Sequence, residues 1–182
     1  MPTADADAAG GALAGLPQAA LSGYGRAMSY DIGFCLLRGT DLSRLPLAGG
    51  PATSLDLAMA QPDVAHAAAL GDDVVVVDAL YGELAGPTLR ELGVPGVVVA
   101  LGGTADVYTI EALGGPDRRR VQAAGAIEVD EGVPLPEEAV MAGHDDPEDG
   151  HLALVTRYLG RPVDELWAAE YVPLALPDPL DL

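Results

Sequence analysis

Gly96-Val97-Val98-Val99-Ala100-Leu101, Val107-Tyr108-Thr109-Ile110-Glu111-Ala112-Leu113, Arg118-Arg119-Arg120-Val121-Gln122-Ala123 and Ala126-Ile127-Glu128-Val129 follow one another, separated by Gly102-Gly103, Gly114-Gly115-Pro116-Asp117 and Gly125. Four short runs bounded by turn residues at this spacing predict an antiparallel meander. In the second run Val107, Thr109 and Glu111 alternate with Tyr108, Ile110 and Ala112, as in a strand with one wet face.

Working outward, Tyr30–Arg38 is an apolar run ended by Gly39 and predicts a buried strand. Thr40-Asp41 can cap a short helical turn through Leu45, and Thr53-Ser54 can open a short helix before Pro62. Val64–Leu70 and Val74–Ala79 flank Gly71-Asp72-Asp73, which suits a hairpin, and the consecutive valines Val74–Val77 predict a strand covered on both faces. Glu83–Leu92 predicts a short helix ending at Gly93. Beyond the meander, Leu152, Val155 and Leu159 make one apolar stripe for a helix over His151–Leu159, and a second helix should follow Pro162 and carry Leu166 and Trp167. Tyr171–Leu176 reads as a strand or extended edge. Together these predict one α+β domain over residues 29–182, with a mixed or mainly antiparallel sheet and a few short helices packed on it. Residues 1–28 read as a flexible Ala/Gly-rich arm.

The chain has 182 residues, 28 acidic against 9 basic, and a formal net charge of -19. That balance opposes nucleic-acid phosphates and anionic lipid, and favours basic partners or cations. All the basic residues are Arg, which fits the codon bias of a GC-rich genome; a saline habitat is the rival explanation for the acidity. Cys35 is the only cysteine and lies in an apolar run, so it reads as a small buried hydrophobe. The first 25 residues hold Asp5 and Asp7 but no Lys or Arg, and no apolar run reaches membrane-spanning length, so a cytoplasmic protein is expected.

The segment Gly132-Val133-Pro134-Leu135-Pro136-Glu137-Glu138 is rigid by its prolines and followed by two carboxylates. It reads as a connection whose Leu135 is buried while Glu137 and Glu138 serve the first turn of a helix. With Glu128, Asp130 and Glu131, those carboxylates also form a candidate binding or acid–base cluster. His144, Asp145, Asp146, Glu148, Asp149 and His151 offer two imidazoles and four carboxylates, so His144, Asp146 and His151 are candidate ligands for a divalent metal. The same run also reads as a solvated helix entrance. His66 has no identifiable partner and reads as a core or edge histidine; Leu101-Gly102-Gly103-Thr104 reads as a hairpin turn or a phosphate approach. Neither a nucleophile elbow nor a phosphate-binding loop ending in Lys is present. Arg118-Arg119-Arg120 is the one basic cluster, and its expected partner is the protein's own acidic surface.

The order of Val64-Ala65-His66-Ala67-Ala68, Gly71-Asp72-Asp73-Val74-Val75, Asp106-Val107-Tyr108, the G-V-P-L-P-E-E segment and Tyr171-Val172-Pro173-Leu174 resembles a family of uncharacterised bacterial proteins classed as a domain of unknown function. The likeness spans roughly residues 30–182; it implies the fold and no catalytic residues. Three functions follow as expectations. The first is a non-catalytic acidic binding or regulatory protein without a cofactor, immunity- or antitoxin-like, meeting a basic protein partner. The others are a metal-dependent hydrolase around His144–His151 and a homodimer formed through an apolar edge at Tyr171–Leu176.

Overall fold

The computed structural model describes residues 30–115 and 117–177; the expected arm and the last residues lie outside these. The elements run in the order β1 (Asp31–Leu37), α1 (Leu55–Met59), β2 (His66–Leu70), β3 (Asp73–Asp78), α2 (Ala85–Glu91), β4 (Gly96–Gly102), β5 (Val107–Leu113), β6 (Arg118–Ala123), β7 (Ala126–Gly132), α3 (Pro147–Leu159), α4 (Val163–Ala168) and β8 (Val172–Pro173). A 3₁₀ turn at Leu42–Arg44 and a 3₁₀ helix at Pro136–Gly143 complete them. Among the described residues there is one sheet of eight strands, ordered β7-β6-β5-β4-β1-β3-β2-β8. Every pairing in it is antiparallel, so the fold is α+β, and the mixed sheet allowed by the sequence does not form.

Side-chain alternation sorts the core into two layers, one on each face of the sheet. Ile32, Phe34 and Leu36 of β1, Val75 and Val77 of β3, and Val97, Val99 and Leu101 of β4 face a cluster completed by α1, α3 and α4, through Leu55, Leu154, Val155 and Leu166. Cys35, Leu37, Val74, Val76 and Val98 point the other way, onto Ala85 and Leu89 of α2. The Val74–Val77 run is therefore apolar without a break because both of its faces are covered. Trp167 of α4 closes the first layer, edge-on to Tyr30 at 5.5 Å and tilted against Phe34 at 6.5 Å.

Buried polar groups fix the turns. The carboxylate of Asp78 accepts from the backbone N–H groups of Leu80, Gly82 and Ala85 at 3.0, 2.7 and 3.2 Å, anchoring the entry to α2. Burial raises its pKa, against the lowering effect of those donors. Asp31 accepts from the Thr104 hydroxyl at 2.6 Å, which explains the Gly102-Gly103-Thr104 stretch as a tied hairpin turn. Helix α3 starts at Pro147, four residues before the expected His151, because Pro147 sits in its first turn and the Asp146 side chain accepts from Glu148 N–H at 2.9 Å. It ends at Gly160, whose φ of 64° is left-handed.

The two ends of the sheet differ. At β8 the backbone of Tyr171 exchanges hydrogen bonds with Thr53, both 2.8 Å, while Ala48 N–H donates to Pro173 at 3.0 Å and Ala175 N–H to Pro46 at 2.7 Å. Tyr171 is fully buried and Leu174 nearly so. The apolar edge expected at Tyr171–Leu176 is thus covered by the chain's own residues 46–53 and is not an open strand edge. At the other end, among the described residues, β7 is the last strand and pairs with β6 alone, and six of its seven residues are exposed.

Candidate functional site

The exposed end of the sheet is built from β6, β7 and the segment that folds back over them. The hairpin joins at Ala124-Gly125, both at positive φ. Its register sets Arg119 opposite Glu131 and Arg120 opposite Asp130, so opposite charges face each other across the ladder. A bulge between Val121 and Gln122 pairs them with Val129 and Ile127, which leaves Glu128 outside the regular register. At Gly132 the chain turns with φ 79°, and a Cβ there would lie 1.7 Å from the Asp117 carbonyl oxygen, so only glycine allows this close return.

From Gly132 the prolines carry the chain across the inner face into the 3₁₀ helix Pro136–Gly143. This places Glu138 over Arg118. The Arg118 guanidinium donates through Nε and Nη2 to the two Glu138 carboxylate oxygens at 2.7 and 2.5 Å, and through Nη1 to Asp130 at 2.6 Å and the Glu131 carbonyl at 2.9 Å. The side chains of Arg118 and Glu138 are 1% and 5% exposed, whereas that of Asp130 is 50% exposed. A fork-to-fork contact in which every guanidinium nitrogen has a partner is what lets such a charge pair be buried. The Glu138 hydrogen bonds and charge raise the Arg118 pKa above its ordinary value, while the Arg118 contact holds the Asp130 carboxyl below the usual range. Glu138 also accepts from the Leu135 N–H at 2.8 Å, capping the 3₁₀ helix.

The adjacent carboxylates therefore part company. Glu137 turns to Arg38, in the turn just past β1, at 2.7 Å, and Arg38 stacks over the Tyr158 ring at 3.8 Å. They do not form a shared acid–base pair. The expected helix-opening role holds, although Leu135 is only partly buried. Arg118 thus finds its partners among the protein's own acidic residues, but in the core and not on the surface; parity along the strand puts it with Arg120 on the inner face.

The candidate metal ligands are spread over one short stretch without converging. Asp146 serves as the α3 cap and is exposed. His151 is fully buried, stacked on Tyr108 at 5.1 Å, with Nδ1 at 2.7 Å from the Pro147 carbonyl. That contact assigns the proton to Nδ1, because a carbonyl only accepts, and leaves Nε2 as a buried acceptor without a hydrogen-bond partner. Burial pushes the His151 pKa down, which keeps the ring neutral, and the nearby Arg120 charge acts in the same sense. His144 is half-buried and lines a cleft of about 270 Å³ together with Arg120, Gln122, Glu138 and Asp145. Among the described residues no group of three or more His, Cys, Asp or Glu side chains is placed to hold a metal ion. His66 is buried, with Nδ1 at 3.1 Å from the Val64 carbonyl, as a core histidine. Cys35 is buried without polar contacts that would activate it; burial raises its pKa.

What remains on the surface is charge. Between Ala126 and Gly150 there are nine acidic residues and no basic one. Glu128, Asp130, Glu131, Asp145, Asp146 and Asp149 are exposed, at an end of the molecule where the cleft joins β6 to the entrance of α3. Among the described residues no helix is long and apolar enough to cross a membrane. Compared with protein-family models, curated proteins and solved structures, the chain matches none.

Proposed function

We propose that this is a non-catalytic binding protein that meets a basic protein partner through its acidic β7 end, in the manner of an immunity or antitoxin protein. The observation that carries the reading is the exposure of Glu128, Asp130 and Glu131 on the sheet edge that, among the described residues, no other element covers. The surrounding stretch from Ala126 to Gly150 carries no positive charge. Such a surface attracts a cationic partner over the Debye length, accelerates encounter and repels acidic competitors. Asp130 and Glu138 are engaged with Arg118, so they hold the face in shape while Glu128 and Glu131 remain available.

The test locates the contact. Isotope-labelled protein is titrated with a strand-forming peptide of alternating Arg and Val, and backbone amide shifts are followed by NMR. Shift changes concentrated in Ala126–Gly132 and Asp145–Asp149 are expected. Changes spread evenly over all acidic surface, or centred on Val172–Leu174, would overturn the reading.

A further inference from the structure

We propose that β7 receives the partner's basic segment as an added antiparallel strand, in keeping with every other pairing of the sheet, making a ninth strand beside β7. This rests on the basic-partner reading above and assigns its mode of contact. Edge strands present a row of backbone donors and acceptors, and protein chains ordinarily blunt them. Here one edge is blunted and the other is not. The β8 edge is two residues long, contains Pro173 and is covered by residues 46–53. The β7 edge is seven residues long, has no proline, and no described element pairs with its outer side. Ile127 within it and Val133 just past its end are 52% and 71% exposed, supplying apolar contacts that an incoming strand can cover.

Charge selects the occupant. A second copy pairing β7 with β7 would set Glu128, Asp130 and Glu131 against their own counterparts, and like charges facing each other across a ladder are destabilising. An Arg- or Lys-bearing extended segment instead repeats outward the pattern that β6 already makes inward, where Arg119 stands opposite Glu131 and Arg120 opposite Asp130. The bulge at Glu128 places the regular part of the edge over Val129–Gly132, so a short segment is sufficient.

The experiment separates backbone pairing from charge attraction. Two isomers of the alternating Arg/Val peptide are made, N-methylated on either the odd or the even residues, so that charge is identical and only one row of N–H donors is removed in each. One isomer is expected to bind the full-length protein within about twofold of the unmethylated peptide, and the other to lose about tenfold or more through its missing hydrogen bonds. Equal binding by both would overturn strand addition and leave the basic-partner reading standing. Failure of the unmethylated peptide itself to bind would remove both. Sedimentation of the protein alone is run alongside: a dimer that the peptide dissociates would make the occupant a second copy and overturn the proposal.

Discussion

Glu138→Ala is expected to lower folding stability by about 3–5 kcal/mol, because it strands a charged guanidinium in the core. Arg118 is 1% exposed at its side chain and makes two of its four hydrogen bonds to Glu138. The remaining partners, Asp130 and the Glu131 carbonyl, satisfy only Nη1. The same substitution removes the acceptor for Leu135 N–H, which holds the 3₁₀ helix over the sheet. Glu137→Ala, one residue away, removes an ion pair to an Arg38 that is 44% exposed and should cost no more than about 1 kcal/mol. Urea unfolding of both variants checks the contrast. A loss at Glu138 no larger than that at Glu137 would mean that Arg118 is hydrated and not part of the core.

Phe34→Ala is the second large effect, expected at about 3–5 kcal/mol from lost transfer energy and the cavity left behind. Phe34 is fully buried at the middle of β1, where its neighbours across the sheet are Val77 of β3 and Val99 of β4, and it touches the Trp167 ring. Those strands are hydrogen-bonded on both sides, so the site has little room to collapse. Truncating Leu57, which is 60% exposed on α1, should change stability by less than about 0.5 kcal/mol. Thermal or urea denaturation gives both values; a small effect at Phe34 would show that the α4 layer is not packed against β1.

Much of this architecture was legible in the chain. The valine run, the alternation in Val107–Leu113 and the glycine-bounded meander each depend on local pattern and turn chemistry, and β3 to β7 formed where those patterns lie. What was not legible depended on contacts between distant residues. Arg118 and Arg120 were placed on one face by parity, but which face is buried was decided by Gly132 and the prolines folding the 3₁₀ helix back over β6. The extended character of Tyr171–Leu176 followed from its composition, whereas its burial followed from residues 46–53, far up the chain. His144, Asp146 and His151 are close in sequence, yet the start of α3 at Pro147 turns His151 into the core and leaves Asp146 as a cap. Proximity along the chain is no guide to convergence once a helix begins between the residues.

In the proposed function, negative charge on the β7 edge, and not the net charge of the whole molecule, recruits a basic strand. The most direct test compares E128Q/E131Q with D63N/E91Q, two double variants with the same change in charge at exposed positions, the second placed away from β7. Affinity for the alternating Arg/Val peptide is measured at several salt concentrations. The β7 variant is expected to bind about threefold to tenfold more weakly and with a shallower salt dependence, while the control changes by less than about twofold. Equal weakening in the two variants would contradict the proposed function, because the attraction would then belong to the acidity of the whole surface.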